Sequence, residues 1–154
     1  MKLLLDIDGV MVPISSWKRP EFLSDNFPMF SSKATNALKR ILEETNATIV
    51  LTTSHKSRYT LTEWITIFKR RGIEVDTLER LPENTLYKNR SEEILNWLSE
   101  QNSLESFIIL DDDKSLNGLP SNLKENLLQT SSMIGLTDEL VGEFLIKLKH
   151  AEVA

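Results

Sequence analysis

Apolar residues follow two alternating patterns along the chain. Residues 2–7, 47–52 and 106–110 are short, nearly continuous apolar runs, the second rich in β-branched residues. Such runs read as strands covered on both faces of a parallel sheet. Residues 73–75 and 126–129 are weaker strand candidates. Between the runs, apolar positions recur at helical spacing. Residues 33–45 set Ala34, Ala37, Leu38, Ile41 and Leu42 on one stripe, behind Ser32 as a cap. Residues 61–71 open on a capping box, Thr60 with Glu63, and stop before Gly72. Residues 91–100 carry Ile94, Leu95, Trp97 and Leu98, and Thr137 is placed to cap a last helix reaching residue 149. This alternation predicts an α/β fold: a three-layer sandwich around a central parallel sheet, with right-handed crossovers. Residues 13–32, rich in proline and serine, break the pattern and read as a long irregular excursion. Excursions of that length in compact domains are often functional.

Composition narrows the class. The length of 154 residues suits a single domain over 1–154. With 40% hydrophobic and 27% charged residues there is material for a core, which excludes general disorder. There is no cysteine, so disulfides, thiolate metal sites and a cysteine nucleophile are excluded. No apolar run approaches the roughly 18 residues of a membrane span. Asp6 and Asp8 interrupt the apolar start too early for a signal peptide, so the expectation is a cytoplasmic protein with no membrane partner. A net charge of -5 gives no global attraction to nucleic acid, although a local basic patch can still bind phosphate.

The polar residues that end the strong strands carry the chemistry. The first run ends Asp6-Ile7-Asp8-Gly9, the second Thr52-Thr53-Ser54, the third Asp111-Asp112-Asp113. In open α/β sheets, ligands bind beyond the carboxyl ends of the strands. Gathering Asp6, Asp111 and Asp112 there presses like charges together, which raises their pKa values and destabilises the fold. A hard, oxygen-preferring cation such as Mg²⁺ removes that penalty. Zinc is disfavoured, with cysteine absent and only two histidines.

Taken together, these segments resemble the haloacid dehalogenase (HAD) superfamily. Leu5-Asp6-Ile7-Asp8-Gly9-Val10 resembles its first motif, Val50-Leu51-Thr52-Thr53 its second, and Ile109-Leu110-Asp111-Asp112 its fourth. Lys88 and Arg90 both qualify for the third, a Lys or Arg ahead of the helix that precedes the fourth motif, with Arg90 at the better distance from that helix. Residues 90–98, 110–113 and 135–137 further resemble a compact HAD group, some of whose members are domains of RNA-repair proteins. The resemblance implies a Rossmann-like HAD fold. The gap after the first motif holds only the 13–32 excursion, and the intervening helices and strand nearly fill the stretch from the second motif to the fourth, which predicts no large cap domain.

What the resemblance implies for mechanism can be placed residue by residue. Asp6 is the expected nucleophile, forming an aspartyl-phosphate, and Asp8 the acid that protonates the leaving oxygen and then activates water. Residues i and i+2 of a strand face the same way, so both carboxylates can bracket one phosphoryl group if the strand curls. Gly9 permits the following turn. Mg²⁺ is expected between the Asp6 carboxylate, the Asp8 backbone carbonyl and the Asp112 carboxylate, with Asp111 beside it or bonded to a metal-bound water. Thr52 and the backbone at Thr53 are expected to bind phosphoryl oxygens, and Lys88 or Arg90 to offset charge.

The expected activity is a Mg²⁺-dependent phosphomonoesterase with an open site, suited to a polynucleotide end or a phosphoprotein. A small-metabolite phosphatase and a non-catalytic HAD-like binding module are the alternatives. The expected partner is therefore a phosphorylated substrate, with no obligate protein partner evident. Lys18, Arg19, Lys56 and Arg58 either flank the site and bind further phosphates or are solvated loop charges. Trp64 and Trp97 read as core, Trp17 as a substrate contact or loop staple, and Lys69-Arg70-Arg71 as cations closing a helix. His55 reads as a surface histidine, with an approach to substrate as the alternative.

Overall fold

A computed structural model describes residues 1–15, 17–102 and 106–153, with 150–153 as backbone only. Ser16 of the excursion and the side chain of His150 lie outside the described residues. Five strands form one sheet: β1 (Lys2–Leu5), β2 (Thr48–Leu51), β3 (Leu78–Arg80), β4 (Phe107–Asp111) and β5 (Leu127–Gln129). All pairings are parallel, in the order β3-β2-β1-β4-β5. The helices are α1 (Ser32–Thr45), α2 (Leu61–Arg70), α3 (Arg90–Ser99), α4 (Ser121–Lys124) and α5 (Asp138–Val153).

Strand periodicity divides the core in two. Leu3, Leu5, Ile49, Leu51, Ile108 and Leu110 join Leu38, Trp64, Phe68 and Val141 on the face covered by α1, α2 and α5. Leu4, Val50 and Ile109 point the other way, onto Ile94, Trp97 and Leu116. The crossovers account for this. The chain runs β1 to β2 to β3 toward one edge through α1 and α2, then returns through α3 to β4 and on to β5. Right-handed crossovers travelling in opposite directions put their helices on opposite faces. The molecule is thus the three-layer α/β arrangement expected from the pattern. Among the described residues there is no cap domain, and no helix is long and apolar enough to cross a membrane.

Local signals held at several element ends. The Thr60–Glu63 capping box is formed, and Thr137 Oγ1 accepts from Leu140 N–H. One cap and one helix start differ by one residue from the sequence reading. Ser31, not Ser32, accepts from the Ala34 N–H, and Asn89 caps α3, which therefore begins at Arg90. The third strand is a correction: it lies at Leu78–Arg80 rather than 73–75. It is an edge strand, and Glu79 and Arg80 bond to Lys2 and to the Lys56 and Tyr59 carbonyls. Such polar neighbours leave no apolar run to read.

The described residues of 13–31 hold no regular helix or strand beyond isolated bridges, as expected, yet they are well anchored. Phe27 and Phe30 are buried in the core. Arg71 secures the segment: it donates to the Phe27 and Pro28 carbonyls at 2.8 and 2.9 Å, and its Nη1 and Nη2 clasp both oxygens of Asp25. Arg71 closes α2 as its C-cap and is also a buried clamp on the excursion. Trp17 stands 83% exposed.

Candidate active site

β1 and β4 lie side by side, but their chains leave toward opposite edges of the sheet. That divergence opens a crevice beyond their carboxyl ends. The Asp6 N–H bonds to the Leu110 carbonyl at 3.0 Å, carrying the ladder one step past β1 and setting Asp6 beside Asp111. One carboxylate oxygen from each of Asp6, Asp111 and Asp112 lies within 4.8 Å of the other two. Asp6 and Asp111 are buried.

The turn after β1 is folded tightly. The Ile7 carbonyl accepts from the N–H groups of Val10, Met11 and Val12. Gly9 has φ +81°, and a Cβ there would stand 2.0 Å from Asp112 Oδ2. Glycine is thus required twice, for the left-handed backbone and for the close approach of a cluster carboxylate. Thr130 donates to the Gly9 carbonyl at 2.7 Å and fixes the turn from beyond β5.

Of the two cations considered for the third motif, Arg90 reaches the acids. Its Nη1 is 2.6 Å from Asp111 Oδ2, 3.4 Å from Asp6 Oδ1, and donates to Thr52 Oγ1 at 3.2 Å. Lys88 instead lines a groove with Leu81, Trp97 and Glu100. Thr52 and Thr53 are fully buried. The Thr52 hydroxyl sits 3.5 Å from Asp111 Oδ2, and Thr53 Oγ1 accepts from the His55 N–H.

Burial, reinforced by the neighbouring Asp111 charge, pushes Asp6 up to about 8, against the opposing pull of Arg90. Burial also raises Asp111, with Arg90 again opposing. For Arg90, burial acts to lower the pKa, but the Asp111 and Asp6 carboxylates outweigh it and hold the guanidinium charged. One arginine therefore does not fully offset the negative charge gathered in the cluster.

The Asp8 carboxylate is outside the acidic cluster and meets His55 Nε2 at 2.9 Å through Oδ2. His55 is thus a half-buried partner of a candidate catalytic acid rather than a free surface histidine. Lys56 is buried and pairs with Glu93 at 3.0 Å, so it is not a solvated or phosphate-seeking loop charge. Glu93 also lies 3.9 Å from Arg90 Nε, three residues away on α3. Lys18, Arg19 and Arg58 are exposed. The i, i+3 spacing of Arg90 and Glu93 was a readable signal. For Thr130 the sequence carries none.

The family comparison agrees with this arrangement. Residues 2–141 match the family described as the HAD domain in Swiss Army Knife RNA repair proteins. The chain belongs to this HAD family. The match spans β1 to the first turn of α5 and includes the acidic cluster, Thr52 and Arg90. No curated protein and no solved structure matches the chain.

The cation implied for a HAD domain can be tested against these residues. The cluster offers only carboxylate oxygens, the donor set of a hard divalent ion. Two oxygens held by one Mg²⁺ at about 2.1 Å lie at most about 4.2 Å apart, close to the spread found here. The raised Asp6 marks an uncompensated negative site. The residues fit Mg²⁺.

Proposed function

We propose that the chain is a Mg²⁺-dependent phosphomonoesterase that works through an aspartyl-phosphate at Asp6, residues 1–154 acting as one cytoplasmic domain. The convergence of Asp6, Asp111 and Asp112 on one point, with Arg90 among them, carries this reading. Asp6 and Asp112, with the Asp8 backbone carbonyl, would hold the cation directly, and Asp111 would lie beside them. When bound, Mg²⁺ supplies positive charge to the phosphoryl oxygens and returns Asp6 to its ionised form.

The chain's own residues then divide the work. Asp6 attacks phosphorus as the ester P–O bond breaks, and the leaving oxygen takes the proton of the Asp8 carboxyl group. The Asp8 carboxylate next removes a proton from water. That water attacks phosphorus, the bond to Asp6 breaks, and inorganic phosphate leaves with both carboxyl groups restored. Arg90 offsets charge on Asp6 and on the phosphoryl group, while Thr52 and the backbone at Thr53 orient phosphoryl oxygens. These are mainly electrostatic and positional effects, which phosphoryl transfer requires.

The substrate we favour is the phosphorylated end of a polynucleotide. The open, capless crevice supports it, and so does the family's description, which places such domains in RNA-repair proteins. Phosphate release from 3′- and 5′-phosphorylated oligoribonucleotides, phosphopeptides and sugar phosphates, with Mg²⁺, tests the reading. Release from the oligonucleotides that is lost in Asp6→Asn supports it. No release from any substrate would leave a binding module, and preference for a small ester would move the substrate to a metabolite.

A further inference from the structure

We infer that His55 is a positioning residue for Asp8, and that the part of the excursion around Phe27 serves as the wall that holds His55 in place. The inference rests on the phosphatase reading and adds a residue and a role for the excursion.

Asp8 needs such a partner. Its side chain is 44% exposed and stands outside the acidic cluster. Its one described side-chain hydrogen bond is to His55, through Oδ2. An exposed carboxylate with a single anchor samples several rotamers once that anchor is lost. A proton donor must be held within about 0.5 Å and 10–20° of its working geometry. Binding through Oδ2 leaves Oδ1 to meet the leaving oxygen.

His55 is itself held from two sides. Its N–H bonds to the buried Thr53 hydroxyl at 3.2 Å, tying it to the end of β2. Its ring stands edge-on to Phe27, with centroids 5.8 Å apart at 90°. Phe27 belongs to the excursion and packs edge-on to Tyr59 and Trp64. Arg71 lies 5.5 Å over the Phe27 ring and donates to its carbonyl. A continuous line of contacts thus runs from the end of α2 through Phe27 and His55 to Asp8. The sequence offers no repeat or motif for it, because its members are far apart along the chain.

The test separates positioning from packing by leaving group. A 4-nitrophenolate departs without a proton, whereas an alkoxide needs one. With kcat/KM as the readout, His55→Ala is expected to lower turnover of an alkyl phosphomonoester at least about tenfold more than that of 4-nitrophenyl phosphate. His55→Gln, whose amide N–H reaches a similar place, is expected to regain most of the loss. Independently of activity, the ring ¹⁵N resonances of His55 are expected to shift in Asp8→Ala. Equal losses on both esters, or a His55 ring resonance unmoved in Asp8→Ala, would overturn the inference. A wild-type protein that releases phosphate neither from these esters nor from the phosphorylated oligoribonucleotides would instead overturn the phosphatase reading, and this inference with it.

Discussion

The Arg90 guanidinium lies 2.6 Å from the fully buried carboxylate of Asp111. Removing one partner of a buried pair strands the other charge, at a cost of about 3–5 kcal/mol. Arg90→Met is therefore expected to destabilise the metal-free protein by about that amount, measured by urea unfolding. Asp111→Asn is expected to cost less, because the neutral amide leaves Arg90 its neighbours Asp6 and Glu93.

Asp6 gives a pH dependence whose sign follows from its raised pKa. Its folded-state value of about 8 lies well above the ordinary aspartate value of about 3.9. Between those values the folded state holds a proton that the unfolded state releases, so this group's stabilising contribution falls as pH rises. The slope is at most about 1.4 kcal/mol per pH unit for one proton. Thermal melts of the metal-free protein should show Asp6→Asn more stable than wild type at pH 8, with the difference shrinking toward pH 4.

Mg²⁺ should act on the same group in the opposite direction. It binds the ionised cluster, so its stabilisation should be larger at pH 8 than at pH 5. Chelation by EDTA should abolish both that increment and phosphate release. A Tm that does not respond to Mg²⁺ at either pH would count against the cluster as its site.

Gly9→Ala places a Cβ where Asp112 Oδ2 now stands and forces a left-handed backbone on alanine. A loss of at least about 1 kcal/mol is expected from the backbone alone. Displacement of Asp112 should add a weaker Mg²⁺ response in the melt. Gly118→Ala has open space around its Cβ and serves as the control.

The Arg71–Asp25 pair should stabilise the excursion at neutral pH. The Arg71 hydrogen bond holds Asp25 below its usual range. A lowered carboxylate pKa gives stability that is present above the unfolded value and lost as pH falls through the folded one. Asp25→Asn should therefore lower stability at pH 7, and the gap should close in acid. Hydrogen exchange should show residues 20–31 opening more readily in Arg71→Met.

The sequence alone determined the layers of this protein and the ends at which its chemistry lies. Near-continuous apolar runs at β1, β2 and β4 can be buried only inside a parallel sheet, and the acids and threonines that end those runs must then face one edge. The capping box at Thr60–Glu63 was equally legible, because its signal is local. Tertiary structure decided the rest. The choice of Arg90 over Lys88 depends on which side of the first turn of α3 faces β4. The pairing of His55 with Asp8, the burial of Lys56 against Glu93 and the support of Gly9 by Thr130 all join residues far apart in sequence. The edge strand β3 was missed for a related reason: its polar residues are satisfied by partners across the fold, so no apolar period marks it. Burial of apolar area is written in one-dimensional periodicity, whereas the pairing of polar groups depends on three-dimensional neighbours that no period encodes.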